Sequence, residues 1–219
     1  MSKGRVLMKK KVIITIAREH GSGGLKVGKR LAEELGINCY DSEMFQLVSD
    51  SSNMRDNHVA HDDRIKGTSL FSVAKVQYAG HEGEELPKES DDFLSMKDLF
   101  EYQSEIIRAL ADKESCVIVG RCSNYILKDR DDTVSVFIHA SIEYRARRIS
   151  YVHDMPEKEL ISYINSRDRH RADYYKYYTG HDWKNARYYD ISLSTERFGI
   201  SGCVEEIKKF IKCRYGEVL

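Results

Sequence analysis

A glycine-rich segment lies between a buried apolar run and a helical pattern near the start of the chain. Val12–Ala17 is short, apolar and β-branched, as a strand buried on both faces requires. Residues 21–24 contain three glycines, and Leu31 and Leu35 then mark the inner face of a helix. Such a turn lets several backbone N–H groups point inward, and the helix N-terminus adds a favourable partial charge. The segment predicts a site for a nucleotide phosphate tail; the alternative is a tight turn that binds no ligand.

The rest of the chain alternates short apolar runs with helical periodicity, which is typical of a parallel sheet covered by helices. We predict an α/β fold of three αβα layers, with about five parallel strands, in a single domain over residues 1–219. The predicted strands are Val12–Ala17, Ile37–Tyr40, Cys116–Val119, Val134–Ile138 and Tyr189–Leu193, and the predicted helices include Leu25–Leu35, Phe93–Lys113, residues 157–177 and Val204–Ile211.

Composition favours a cytoplasmic protein and excludes several kinds of partner. Lysine and arginine total 35, as do aspartate and glutamate, so no overall basic field indicates nucleic acid or an acidic membrane surface. No apolar run reaches the roughly 18–20 residues of a membrane-spanning helix, and residues 1–11 lack an apolar signal core. The 5 cysteines show no CxxC spacing and are interpreted as free thiols of a reducing cytosol.

Three polar features follow predicted strands and are expected at one edge of the sheet. They are the glycine segment after the first strand, Asp41 after the second, and Gly120-Arg121 after the third. In open parallel sheets the ligand crevice lies beyond the carboxyl ends of the strands. Arginine at such a point suits phosphate, because its planar fork grips two oxygens together.

Several stretches together resemble the cytidylate kinase-like family, which are relatives of bacterial cytidylate kinase among the P-loop NTPases. The resemblance implies a nucleotide-kinase fold with a small helical lid, ATP and Mg²⁺ as cofactors, and transfer of the γ-phosphate to a nucleoside monophosphate or similar small acceptor. The stretches that carry it are Ile14-Thr-Ile-Ala-Arg-Glu-His-Gly-Ser-Gly-Gly24, Gly28-Lys-Arg-Leu-Ala-Glu-Glu-Leu-Gly36, Tyr40-Asp41, Val117-Ile-Val-Gly-Arg121, Arg145-Ala-Arg-Arg148 and Tyr174-Tyr-Lys-Tyr-Tyr-Thr-Gly180.

The glycine segment fits the phosphate-loop pattern G-x-x-x-x-G-K-[ST] in two registers. Gly23–Lys29 matches it literally, with Arg30 in place of the hydroxyl residue. We prefer the register that puts Arg18 at the first glycine and Gly24 at the lysine, because the strand end and the helix length fit it. No lysine then occupies its usual position, and Arg18 and Lys26 are the candidate substitutes. The predicted nucleotide contacts are Arg18, His20, Gly21, Ser22, Gly23 and Gly24, with Ser22 also expected near magnesium and Lys26 either catalytic or a solvated first-turn residue.

The resemblance also assigns the acceptor side and the lid. Asp41 and Arg121 correspond to acceptor-binding positions, and residues about 149–160 to the lid. The polar stretch at about residues 49–92 is predicted as an acceptor-side insertion, and its role stays open. Arginines of such lids close over the transferring phosphate, and Arg148, Arg167 and Arg171 are the predicted catalytic ones. The relatives' methionine-aromatic-arginine reads Met44-Phe45-Gln46 here, so the identity of the acceptor stays open.

Three functions are compatible with these features. The first is the phosphotransferase, with nucleotide and a small acceptor as ligands and homodimer formation left open. The second is a nucleotide-binding regulatory protein of the same fold with little or no turnover, because the loop lysine is missing. The third is an interaction module, for which the glycine segment would be a coincidence.

Overall fold

The computed structural model describes residues 10–41, 96–153 and 155–216, without the side chains of residues 96–99 and 102. The chain divides into two compact units. One consists of Met1–Cys39 with Ile107–Leu219, and the other of Tyr40–Ile106. The predicted insertion at residues 49–92 lies outside the described residues, as does residue 154 within the predicted lid.

A five-stranded sheet forms the centre of the fold, in the order β2-β3-β1-β4-β5. The pairs β1–β3, β1–β4 and β4–β5 are parallel. This architecture confirms the predicted α/β class with a central parallel sheet. The strands are β1 (Ile13–Arg18), β2 (Asn38–Tyr40), β3 (Cys116–Val119), β4 (Thr133–His139) and β5 (Ile191–Ser194).

The helices connect the strands and follow most of the predicted periodicities. The last helix begins well before the predicted Val204, because Gly199 interrupts it with a non-helical conformation (φ 65°, ψ 178°) and hides its apolar spacing. The short helix Ser123–Ile126 has too few residues to show a period. The helices are α1 (Gly24–Leu35), α2 (Met96–Lys113), α3 (Ser123–Ile126), α4 (Ile142–Ile149), α5 (Glu157–Thr179) and α6 (Thr195–Tyr215).

The central strand β1 buries both of its faces. Ile14 and Ile16 pack on the side of α1 and α6, in one cluster with Leu31 and Ile207. Ile13 and Thr15, which alternate with these residues along the strand, are also fully buried and face the opposite layer. Burial on both sides explains why this strand is a continuous apolar run and fixes the point at which the glycine segment leaves the sheet.

None of the helices in the described ranges combines the length and apolar character that a membrane crossing requires. In those same ranges, no group of three or more histidine, cysteine, aspartate or glutamate side chains is arranged to hold a metal ion.

Gly28 allows α1 to lie close against the sheet, and we predict that Gly28→Ala destabilises the fold. A Cβ at this position would lie 2.9 Å from Val119 Cγ2 and 3.2 Å from Ile16 Cδ1. Helix propensity alone would make the alanine variant more stable by roughly 0.8–1 kcal/mol. Urea unfolding measures the sign, with the exposed Glu33→Ala as a control expected within about 0.5 kcal/mol of wild type. A more stable Gly28→Ala protein would contradict the close approach.

Candidate functional site

The segment between β1 and α1, residues 18–23, is called the glycine loop here. Its main-chain carbonyls from Arg18 to Ser22 all accept hydrogen bonds from within the protein. Four of the five donors are side chains from other elements, so the carbonyls are held away from the opposite side of the loop. The bonds are Arg171 Nη1 to Arg18 O (3.4 Å), Ser22 Oγ to Glu19 O (2.8 Å), Arg145 Nη1 to His20 O (3.1 Å), Arg148 Nε to Gly21 O (3.1 Å) and Thr195 Oγ1 to Ser22 O (2.6 Å).

The amide side of the loop is arranged differently. Gly23, the residue before α1, has φ 86°, and as a glycine it supplies no side-chain cap to the helix. Within the described part of the chain, the N–H groups of Gly23, Leu25 and Lys26 donate to no protein acceptor. Unsatisfied first-turn amides and the helix dipole concentrate positive charge at this point. Carbonyls held on one side and open amides on the other form a nest that suits an anion.

A buried network of ion pairs holds the glycine loop in place through its backbone and through Glu19. Arg145 on α4 is 6% exposed and lies between two carboxylates, with Nη1 2.5 Å from Asp168 Oδ2 and Nε 3.5 Å from Glu19 Oε2. Asp168 Oδ1 also accepts a hydrogen bond from the His20 N–H at 2.7 Å. Glu19 pairs in addition with Lys184 Nζ at 2.9 Å. Each buried charge therefore has a partner, which burial of charge requires.

His20 lies in this network as a neutral imidazole. Burial lowers the pKa of His20 to about 4, and the positive charges of Arg171 and Arg167 act in the same direction. Its ring contacts the Tyr163 ring edge-on, with centroids 5.3 Å apart. Arg171 Nη2 lies 3.5 Å from His20 Nδ1. The positive surroundings of the ring would be offset by an anion bound at the loop.

Two of the predicted catalytic arginines reach the glycine loop and one does not. Arg148 binds Gly21 O, and its Nη2 lies so close to Gly23 that a Cβ there would be 2.8 Å away. Arg171 binds the carbonyl of Arg18 and also lies 3.4 Å from Asp168 Oδ1. Arg167 is exposed and instead contacts Tyr163, through a hydrogen bond from Nε of 3.2 Å and the face of the ring.

The two candidate substitutes for the missing lysine lie in different surroundings. Lys26 is exposed in the first turn of α1. Arg18, at the end of β1, is half-buried, and its guanidinium lies against Gly120 at the end of β3. The roles of both cations in nucleotide binding stay predictions.

The acceptor-side residues Asp41 and Arg121 follow β2 and β3, as the sequence predicts. Asp41 is buried and belongs to the smaller unit, and its role in binding an acceptor stays a prediction. Arg121 has φ 59° and Cys122 has φ 55°. A left-handed conformation costs a residue with a side chain roughly 1–2 kcal/mol. Such strain at the carboxyl end of a strand is common where a side chain must be aimed at a ligand.

The Ser22 hydroxyl is used within the glycine loop. Ser22 is fully buried, and its Oγ donates to Glu19 O and lies 3.4 Å from the N–H of Gly24. The nearby carboxylates Glu19 and Asp168 are paired with arginine and lysine. A magnesium ion is therefore not matched by a protein-built site among these residues, and the magnesium role of Ser22 stays a prediction that its contacts do not favour.

Four residues that hold the loop were not among the predicted site residues: Glu19, Arg145, Asp168 and Thr195. Arg145 begins one of the stretches that carry the family resemblance, and Asp168 directly follows Arg167. Their roles depend on pairing over 23 positions of sequence, which periodicity does not reveal. Thr195 gives no sequence signal, because a single threonine after a strand is common.

The Arg145–Asp168 pair leads to a stability prediction. Asp168→Asn leaves the buried Arg145 guanidinium without its charge partner, and loss of one member of a buried pair costs about 3–5 kcal/mol. Urea unfolding should show a loss of this size. The exposed Asp173→Asn, on the same helix, is the matched control and should stay near wild type. Equal stabilities for the two variants would contradict the structural role of the pair.

The lowered pKa of His20 leads to a pH prediction. Unfolding raises this pKa from about 4 towards the ordinary 6.5, so the unfolded chain binds more protons between these values. The contribution of His20 to stability is therefore constant above pH 6.5 and falls as the pH drops towards 4. The difference in unfolding free energy between wild type and His20→Gln should shrink or reverse over that range. A difference that does not change with pH would show that the imidazole is not held neutral.

Comparison with known proteins finds relatives named cytidylate kinase. Cytidylate kinase of Methanoculleus marisnigri is 32% identical over 100 residues, which is 46% of this chain and 54% of that protein. Cytidylate kinase of Sulfurisphaera tokodaii is 24% identical over 202 residues, covering 92% of this chain and 93% of the relative.

Solved structures agree with the observed architecture. An uncharacterized protein from Eubacterium ventriosum superposes with a TM-score of 0.66 at 28% identity, over 92% of this chain and 99% of that one. Shikimate kinase from Bacteroides thetaiotaomicron superposes with a TM-score of 0.52 at 15% identity, over 92% and 98% of the two chains. The second likeness shows the fold alone. The model of the cytidylate kinase-like family matches residues 13–197, and the chain belongs to that family.

Proposed function

We propose that this protein is a phosphotransferase that moves the γ-phosphate of ATP to a nucleoside monophosphate or a similar small acceptor. The observation that carries the proposal is the glycine loop, whose carbonyls from Arg18 to Ser22 are bound by the protein while first-turn amides remain open. Membership of the family supports the kinase activity, and its named relatives support a nucleotide acceptor.

The glycine loop would hold the phosphate tail through backbone amides. Phosphoryl transfer depends on positioning and on positive charge around the moving oxygens, with little covalent chemistry by the protein. The open N–H groups at Gly23, Leu25 and Lys26 supply fixed donors for the β- and γ-phosphates. Because the donors are held before the ligand arrives, they need not reorganise during the reaction.

Arg148 and Arg171 would supply the mobile part of the positive charge. Both already contact the loop backbone, and Arg148 Nη2 lies over Gly23. Residues 150–156 connect α4 to α5, which are the helices that carry these arginines. Movement of this connection would bring the guanidinium groups onto the transferring phosphate, as a lid does. Arg167 lies further out at Tyr163 and would join only after such a movement.

The phosphate of the acceptor would bind at the end of β3, through Arg121, and Asp41 stays a predicted acceptor residue of the smaller unit. A guanidinium grips a monophosphate with two parallel hydrogen bonds, which suits Arg121 to the phosphate of the acceptor. The strained backbone at Arg121 and Cys122 supports a functional reason for that conformation. The residues that differ from the relatives after Asp41 leave the acceptor base open.

Magnesium would enter with the nucleotide, where it neutralises charge on the β- and γ-phosphates. Mg²⁺ usually keeps several waters and relies on phosphate oxygens together with one or two protein groups. That pattern agrees with the absence of a carboxylate cluster from the described residues. The described cysteines are all free thiols, which supports a cytoplasmic location for the proposed enzyme.

A second candidate function is nucleotide binding without turnover. Two arginines beside the glycine loop favour it, because Arg145 and Arg171 both pair with Asp168 and their charge is already partly neutralised. Thermal shifts with ATP, GTP and several monophosphates, with and without magnesium, test binding first. A saturating ligand at about 100 times its dissociation constant adds roughly 2.7 kcal/mol of stability. Binding without phosphoryl transfer to any acceptor would favour this second function, and no shift with any nucleotide would exclude both.

Gly23→Ala is predicted to weaken nucleotide binding strongly. The substitution forces a side chain into φ 86° and places its Cβ 2.8 Å from Arg148 Nη2 and from Ile200 Cδ1. Calorimetric titration with ATP should show at least a tenfold weaker dissociation constant. Gly180→Ala is the matched control, because Gly180 has φ 73° with no atom within 4 Å of a Cβ. Retained binding in Gly23→Ala, or equal loss in Gly180→Ala, would contradict the assignment of the loop.

A further inference from the structure

The glycine loop contains a reciprocal exchange relative to the pattern G-x-x-x-x-G-K. In the register that begins at the end of β1, the first glycine of the pattern is Arg18 and its lysine is Gly24. A cation and a glycine have therefore changed places across the loop. Gly23, the second glycine of the pattern, keeps its residue type and its positive φ of 86°.

The structure gives a steric reason why the two changes occur together. A Cβ at Gly24 would lie 2.5 Å from Arg18 Cβ and 3.1 Å from Arg18 Cγ. No side chain, and least of all a lysine, fits at position 24 while an arginine occupies position 18. In the same way, a lysine at position 24 has room only when position 18 lacks a side chain.

A second glycine, Gly120, leaves the space that the Arg18 side chain occupies. A Cβ at Gly120 would overlap the Arg18 guanidinium, so only glycine is compatible with this arrangement. The Gly120 N–H binds Ile16 O at 2.9 Å, which holds the end of β3 beside the end of β1. The guanidinium thus lies at the carboxyl edge of the sheet, between the glycine loop and the residue before Arg121.

We propose that Arg18 supplies the phosphate-binding charge that a lysine supplies in the ordinary loop, from the strand end instead of the first turn of the helix. The inference rests on the proposed function, because it concerns the same polyphosphate ligand. The backbone of Arg18 is held by Arg171 at its carbonyl, and its Cβ packs on Gly24, so the side chain is already directed before a ligand binds. A planar guanidinium can bind two phosphate oxygens at once, which an ammonium group does less well.

This position also gives Arg18 a different neighbour from that of a lysine at position 24. Gly120, which the guanidinium contacts, directly precedes Arg121, the proposed acceptor-phosphate residue. Arg18 is therefore placed to contact the phosphate tail on the side that faces the acceptor. Lys26 lies on the exposed face of α1, and none of the described glycines directs its side chain as Gly24 and Gly120 direct that of Arg18.

Four variants test the exchange by calorimetric titration with ATP and with adenosine, which lacks phosphate. Arg18→Met removes the charge and keeps a long side chain; Lys209→Met, at an exposed position on α6, is its matched control. Gly24→Lys alone introduces the clash, and the double variant Arg18→Gly with Gly24→Lys rebuilds the ordinary pattern. Far-UV circular dichroism and urea unfolding monitor the fold of each variant.

We expect Arg18→Met to weaken ATP binding by about 10-fold to 100-fold, with adenosine binding unchanged and Lys209→Met near wild type. The double variant should recover ATP binding to within about threefold of wild type, whereas Gly24→Lys should not. Undiminished ATP binding in a folded Arg18→Met protein, or an equal loss in Lys209→Met, would overturn the inference while leaving the proposed function intact. Failure of the wild-type protein to bind any nucleoside triphosphate would overturn both.

Discussion

The buried ion pair between Arg145 and Asp168 determines the conformation of the glycine loop. Asp168 accepts the N–H of His20 and Arg145 donates to the carbonyl of His20, so both peptide groups of one loop residue are held by this pair. The pair also joins α4 to α5, the helices that carry Arg148 and Arg171. Buried ion pairs often add little net stability. Here the pair orients carbonyls, and the open amides on the other side of the loop follow from that orientation.

Much of the fold can be predicted from the sequence, because both faces of the central strands are buried. The limits of β3, Cys116–Val119, match the predicted strand, because Ser115 and Gly120 bound its four apolar residues. The last helix could not be predicted in full, because Gly199 breaks its apolar spacing. The helix Ser123–Ile126 follows two residues with left-handed backbone, Arg121 and Cys122. Such a backbone conformation leaves no hydrophobic periodicity from which the helix could be predicted.

The candidate site could be predicted only in part. Glycine spacing after a buried strand places the loop, and arginine-rich segments indicate Arg148 and Arg171. Helical spacing does not show that Arg145 points inwards to Asp168 while Arg167 lies exposed on Tyr163. The choice between Arg18 and Lys26 depends on side-chain direction, which only the contacts of Gly24 and Gly120 reveal. The identity of the acceptor stays a prediction, because the predicted insertion lies outside the described residues.

The central claim is that the amides at the start of α1 bind a polyphosphate, and amide NMR tests it most directly. Titration of ¹⁵N-labelled protein with ATP and magnesium should move the amide protons of Gly23, Leu25 and Lys26 downfield, because each gains a charged acceptor. The amide of His20, already bonded to Asp168, should move less. Saturable binding with large shifts elsewhere and none at these three amides would contradict the account.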